Sequence, residues 1–185
     1  MIISHNDNDH AGGLLDILEK VPVERVIYYG NCAKEWISDN VQFRSFSVLS
    51  VSLEMVTSEN ELSCLLSIRT HRYRVLLTGD IEARGEYALL GFESGIVDVM
   101  SVPHHGSYSS STPALLNSLK NGLAVVSSGF QNRFNHPAPV VLDRYRKRSA
   151  LVLNSASSGA VEILFTRESY RVSLARLNRR RIWQR

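Results

Sequence analysis

The 185-residue chain is poor in the features that mark specialised protein classes. It has only two cysteines, Cys32 and Cys64, in no C-x-x-C pair or other zinc-like spacing, which argues against a zinc ribbon or a disulfide-dense scaffold. Cys64, inside "LSCLLSI", reads as a small core hydrophobe. No run approaches the roughly 18–20 apolar residues that cross a bilayer, and the first residues do not read as a signal peptide, so the chain as given reads as soluble. Repeats, low-complexity runs and interdomain linkers are missing too. Net charge is only +3, but it is unevenly spread: from Arg167 onward seven arginines face one acid, Glu168. At 44% hydrophobic, the chain can bury one substantial core.

What is present is an alternation of short elements. "GLLDILEK" (13–20) has helical apolar spacing, and "RVIYY" (25–29) reads as a buried strand. "FSVLSVSLEMV" (46–56) is β-rich, and "LSCLLSIRT" with "YRVLLTGD" forms a hairpin turning near His71. A strand, "IVDVMSV" (96–102), precedes "TPALLNSLKNG", where Thr112 is the expected N-cap, Pro113 the first helical residue and Gly122 the stop. "LAVVSS" (123–128) is a strand and "APVVLDRYRK" (138–147) a helix, followed by strands at "ALVL" and "AVEILF". This order predicts a layered α/β domain.

Several predicted strands run into a polar cluster: "MIIS" into His5, "YRVLLTG" into Asp80, "VDVMSVP" into His104 and His105. "LAVVSS" leads to "GFQNRFNHP" and His136. Loops at strand ends converge in layered sheets, so four loops carrying His and Asp can face one another. Within "SHNDNDH", His5, Asp7, Asp9 and His10 offer four ligands in six residues. Positions 5, 7 and 9 share one side of an extended segment, and the turn into the next helix brings His10 beside Asp9. The plain alternative for "NDND" is a solvated turn with Asp9 capping that helix. For His104 and His105 the alternative is a pair of ordinary loop histidines, and for His136 a turn residue before proline. His71 has no neighbouring ligands and stands outside the cluster.

Taken together, "SHNDNDHAGG", "LLTGDIE", "VPHHGSYSSS" and "NRFNHP", in that order, resemble the metallo-β-lactamase superfamily. Within it they resemble the carboxy-terminal domain of ComEC-type DNA-internalisation competence proteins. The resemblance implies an αββα sandwich over residues 1–178, lacking its first strands, with a basic tail at 179–185. The family's "VGQG"-like and "DTG"-like segments have no counterpart here, which implies an unpaired sheet edge. It further implies two divalent cations, Zn²⁺ or Mn²⁺. His5, Asp7 and one of His104 and His105, with His105 favoured, would hold one; Asp9, His10 and His136 would hold the other, and Asp80 would bridge.

The implied chemistry is phosphodiester hydrolysis, with Asp9 and Asp80 in the catalytic set and His104 near the phosphate or leaving group. Glu82 is a further polar group at the rim. Ser107 and the tail arginines Arg179, Arg180 and Arg181 are candidate DNA contacts, arginine forks matching phosphate; a flexible loop and a solvated terminus are their plain alternatives. The leading expectation is a DNA nuclease domain, partnered by DNA and by the membrane channel of a full-length inner-membrane protein, on its periplasmic or extracytoplasmic face. A phosphorylcholine-esterase-like small-molecule phosphodiesterase and a non-catalytic DNA-binding domain of the channel are the competing expectations. The basic tail favours DNA over a small choline ester. β-Lactamase activity is disfavoured: Asp7 stands where that pattern has histidine, and "SENELSCLL" lacks the usual mid-chain histidine.

Overall fold

The computed structural model describes residues 1–28, 32, 34–38, 41–46 and 58–178. The β-rich stretch expected at 46–56 lies almost wholly outside them, as do Tyr29 and the tail arginines Arg179, Arg180 and Arg181. Seven strands form one mixed sheet in sequence order: β1 (Lys34–Ser38), β2 (Val41–Phe46), β3 (Leu65–Arg69), β4 (Arg74–Leu77), β5 (Gly95–Ser101), β6 (Leu119–Val126) and β7 (Leu151–Asn154). Pairs from β1 to β4 are antiparallel, and those from β4 to β7 are parallel. A parallel step needs a crossover, and each has a helix: α3 (Ala83–Leu89), α4 (Pro113–Ser118) and α5 (Pro139–Arg146). Ahead of the sheet stand two short helices, α1 (Asn8–Ala11) and α2 (Leu14–Lys20). After it come α6 (Ser155–Ser158), a two-stranded antiparallel sheet of β8 (Val161–Phe165) and β9 (Tyr170–Leu174), and α7 (Ala175–Asn178).

Alternation along the strands divides the sheet into two faces. Leu65, Leu76, Met100, Ala124 and Val126 pack on Leu89, Leu115, Leu116, Val141 and Tyr145 of the crossover helices. Val75, Leu77, Val99 and Val125 face the other way, and with Val161, Ile163 and Phe165 of β8 they line an apolar cavity of about 580 Å³. Strand β5 is apolar on both faces, as a parallel strand covered on two sides must be. This explains why "IVDVMSV" is so legible.

Three expectations need correction. Helix α4 stops at Ser118, and Gly122 lies inside β6 rather than past a helix end. Pairing of Leu119–Asn121 with Gly95–Val97 on β5 draws these residues into the sheet against their local helical pattern. Around "RVIYY" the described residues give one bridge, Ile2 to Ile27, in place of a strand. Cys64 is buried as expected, but it is no simple core hydrophobe: it is disulfide-bonded to Cys32, with the Cα atoms 5.6 Å apart. A bridge across a 32-residue separation is invisible to motif spacing.

Closing that loop of 32 residues removes freedom from the unfolded chain worth about 3–4 kcal/mol on a chain-entropy model. Reduction, or a paired Cys32→Ser and Cys64→Ser change, is therefore expected to lower the thermal midpoint by several degrees. Identical melting curves with and without reductant would show that the bridge does not stabilise the fold.

Candidate metal centre

Asp80, His104 and His105 follow the carboxyl ends of the adjacent parallel strands β4 and β5, and the loop carrying His136 follows β6, the next strand over. This is where loops of an open α/β sheet converge on ligands. The first motif reaches the same place without a strand of its own. Ile3 N donates to Ile27 O at 2.8 Å and Cys64 N to Ser4 O at 2.7 Å, tying the segment to its neighbours just before His5. From there α1 folds back at once, so His10 stands one turn from Asp7, with the two imidazole rings of His5 and His10 4.2 Å apart.

A single oxygen organises the cluster. Asp80 Oδ2 lies 3.2 Å from His105 Nε2, 3.3 Å from His10 Nε2, 3.9 Å from His5 Nε2 and 4.0 Å from His104 Nε2. Asp7 Oδ2 is 3.4 Å from His5 Nε2, and Asp9 Oδ2 is 3.1 Å from His105 Nε2 and 3.7 Å from His10 Nε2. Two overlapping donor groups result, His5–His10–Asp80 and Asp9–His10–His105.

The outer nitrogens are fixed by hydrogen bonds that aim Nε2 inward. His105 Nδ1 donates to Ser127 O at 2.7 Å, and His10 Nδ1 pairs with Ser4 Oγ at 2.8 Å. His5 Nδ1 has Ser4 Oγ at 3.1 Å and Ser63 Oγ at 3.5 Å. Ser63 Oγ also accepts from Asp80 N at 3.0 Å, so one hydroxyl spans two members of the cluster. Such outer partners orient the ring and select the tautomer with its lone pair on Nε2.

The histidine pair is presented by unusual backbone. His104, His105 and Gly106 have φ of 47°, 53° and 82°, three consecutive left-handed residues, and the first two are strained there. Several contacts hold the turn. His104 N donates to Gly79 O at 3.2 Å and Ser110 Oγ to Pro103 O at 2.8 Å. The fully buried Glu86 accepts from Ser111 N and, at 2.7 Å, from Thr112 N, anchoring the following loop and the start of α4. Gly106 is required: a Cβ there would meet Pro137 Cβ at 2.5 Å, and this close approach seats the His136 loop, with Ala138 N donating to Gly106 O.

The electrostatics follow from crowding around a buried carboxylate. Burial opposes ionisation of Asp80, but hydrogen bonds from His10 and His105 overcome it and hold its pKa well below the usual range. In return, the Asp80 hydrogen bond raises His105 to about 9 against the effect of burial, and it also raises His10. Burial, then the neighbouring His10, lowers His5; burial and the two loop histidines lower His136.

These residues suit a divalent cation. Donor atoms bound tetrahedrally at about 2.0–2.2 Å stand roughly 3.3–3.6 Å apart, close to the separations in the cluster. His5 Nε2 is buried without an aligned hydrogen-bond partner, a lone pair facing Asp7 and Asp80.

The sequence-predicted residues are distributed as follows. His5, Asp7, Asp9, His10, Asp80 and His105 surround one centre, while His105 groups with Asp9 and His10 rather than with His5 and Asp7. His104 is at the edge, its Nδ1 3.1 Å from Glu82 Oε1 and its Nε2 3.5 Å from Asn60 Nδ2. His136 lines the cleft of about 510 Å³ that opens from Asp9, His10 and His105, its ring 5.9 Å from that of His104. Ser107 bonds Ser109 and Ser110 within its own loop. Sequence reasoning missed Ser63, Asn60, Glu86 and the cleft residues Ser127, Ser128, Asn132 and Phe134, none of which carries a spacing signal.

Fold and donor set define a class. A crystal structure from Parabacteroides distasonis, described as a metal-dependent hydrolase, matches 84% of this chain and 74% of its own, with TM-score 0.53 and 10% identity. The chain has the metallo-β-lactamase fold. No protein-family model matches it. Recombination protein 2 of Haemophilus influenzae is 32% identical over 95% of the chain and 23% of its own length. Competence protein ComA of Neisseria gonorrhoeae is 33% identical over 88% of the chain and 24% of its own length. The homologues of this chain are ComE/ComEC-type competence proteins, and the chain spans about a quarter of the length of the curated relatives it matches.

A cation entering this cluster must displace the protons held on His10 and, up to about pH 9, on His105. Affinity for Mn²⁺ or Zn²⁺ should therefore rise with pH through neutrality and level off above that point. Calorimetric titrations near pH 7.5, in buffers of different ionisation enthalpy, should show release of about one to two protons. Heats independent of the buffer would contradict this protonation scheme.

Proposed function

We propose that this chain is the metal-dependent nuclease domain of a DNA-uptake protein, hydrolysing phosphodiester bonds of DNA. One observation carries the reading: four imidazoles and two further carboxylates gathered on the buried Asp80 at the mouth of an open cleft. The competence and recombination names of its relatives favour DNA as the substrate. Divalent cations held by His5, Asp7, Asp9, His10, Asp80, His105 and His136 would supply Lewis acidity, activating water and neutralising phosphate charge. The mixed nitrogen and oxygen donors suit Mn²⁺ as well as Zn²⁺.

The protein's own groups supply orientation and protons. Asp9 is well exposed and borders the cleft, where its free oxygen can accept a hydrogen bond from the attacking water. His104, whose Nδ1 lies 3.1 Å from Glu82 Oε1, is the candidate donor to the leaving oxygen. Arg179, Arg180 and Arg181 would add phosphate contacts. Among the described residues no helix is long and apolar enough to cross a membrane. The Cys32–Cys64 bridge supports an oxidising compartment, in keeping with the extracytoplasmic face of an inner-membrane protein whose channel would be the domain's partner.

Asp80→Ala and Asp80→Asn should both abolish metal-dependent cleavage of single- and double-stranded DNA, while DNA binding weakens little. Changing Arg179, Arg180 and Arg181 together to alanine should do the reverse. Binding to duplex should weaken, with the slope of log K against log salt shallower by about 3, and turnover at saturating DNA should be kept. Cleavage by Asp80→Ala at the parent rate would sink the nuclease reading.

A further inference from the structure

The two loops that carry His104, His105 and His136 hold three large aromatic rings out in solvent. Tyr108 is 73% exposed, Phe130 68% and Phe134 61%. Tyr108 lies on the loop that follows the His104–His105 turn; Phe130 and Phe134 lie on the loop that carries His136. Phe134 lines the cleft with Asp9, His10, His105 and His136, and its ring is nearly parallel to that of His136, with centroids 5.6 Å apart and planes at 18°. Rings this large are normally used to build core; exposed on the loops that carry candidate ligands they mark a binding surface.

Two of the rings carry a guanidinium group against them. The Arg133 guanidinium lies 4.6 Å from the Phe134 ring centre, and that of Arg176 lies 5.7 Å from Phe130. Among the described residues neither arginine is ion-paired, and the whole segment 127–138, "SSGFQNRFNHPA", contains no acid. Flat apolar faces interleaved with free guanidinium groups fit a ligand that alternates planar rings with phosphates. A base pair inside a duplex offers no face to such a surface, whereas an unpaired base offers two.

We propose that Phe134, Phe130 and Tyr108, with Arg133 and Arg176, form a stacking platform for unpaired nucleobases, which selects single-stranded over duplex nucleic acid for the metal centre. The selection of a strand for cleavage rests on the nuclease reading; the binding platform does not. Phe134 is the inner element, because its contact with His136 sets a stacked base directly beside the candidate cation ligands. Phe130, on the same loop, and Tyr108, on the loop after the histidine turn, extend the platform. The arginines act on the phosphates between stacked bases.

The test is equilibrium binding by fluorescence anisotropy, with the full chain in EDTA. The probes are a labelled single-stranded deoxyoligonucleotide of about twelve residues, an abasic strand of equal length and a blunt duplex. The base-bearing strand should bind at least about fivefold tighter than the abasic strand, the low end of what one stacked base contributes. Phe134→Ala and Phe130→Ala should each shrink that ratio, and together bring it near one, whereas Phe134→Trp should keep it. Arg133→Ala should weaken both strands alike. Equal affinity of the parent for base-bearing and abasic strands would overturn the proposal, as would an unchanged ratio in the double alanine variant. Cleavage assays with Mn²⁺ or Zn²⁺ run in parallel separate the two readings. A parent that cleaves nothing but keeps the fivefold ratio loses the nuclease function and keeps the platform. A parent that cleaves single strand and duplex equally, with a ratio near one, does the opposite.

Discussion

The structure depends on the ionised, buried carboxylate of Asp80. Taking a lone carboxylate out of water costs several kcal/mol, and burial alone would push it toward its neutral form. Four imidazole nitrogens within 4.0 Å of one oxygen reverse that outcome. The solution is self-limiting, because the imidazoles repel one another once charged. His105 is raised to about 9 and His10 is raised too, each by its hydrogen bond to Asp80, and His10 in turn helps lower His5. In the metal-free protein imidazole protons thus do for Asp80 what cations do in a metalloenzyme. The neutral His5 Nε2, buried and unaligned with any partner, is the part of the arrangement that protons leave unsatisfied.

Holding that crowd together requires rigid backing, since each member would relax outward if it could. The parallel strands provide it by ending side by side, and the crossover connections add local devices. The left-handed His104–His105–Gly106 turn is strained, and strain persists only where the surroundings over-determine it. Here Gly79, Pro103, Pro137 and the Glu86 anchor all bear on the same few residues. Glu86 is itself a buried acid, raised by desolvation and held by backbone N–H groups rather than by a cation. It serves the site from a distance, by fixing where the histidine turn leaves the sheet.

How much of this was legible beforehand varied with the range of the interaction. The four motifs were readable because ligand residues had to be dense, polar and placed directly after apolar strands. Strands β3 to β5 were equally plain, since burial on one or both faces writes itself into the local pattern. What escaped depends on partners distant in sequence. The helix after Thr112 was expected to run to Gly122 because nothing local shows that β5 will recruit Leu119 into the sheet. Strand β9, Tyr170–Leu174, was masked by its arginine and by the basic run after it. The bridge between Cys32 and Cys64 has no spacing signature at all. The same holds within the site: the sequence favoured His105 over His104 without a geometric reason, and the turn supplies one, bringing His105 to Asp9 and Asp80 and His104 nearest to Glu82.

The disulfide and the metal centre are mechanically one feature. The first motif, with four of the candidate ligands, is not a strand of the main sheet and holds its place through a few backbone bonds. One of those runs from Cys64 N to Ser4 O, and the adjacent Ser63 hydroxyl touches both Asp80 N and the His5 ring. Bridging Cys64 to Cys32 therefore stiffens the two residues on which the motif leans. A cation shared between His5 or His10 and Asp80 would act from the other side, joining the motif to the end of β4. Covalent bridge and ion would thus clamp the same short segment, one at its base and one at its tip. A segment with so little secondary structure of its own depends on such outside contacts to present its ligands this closely.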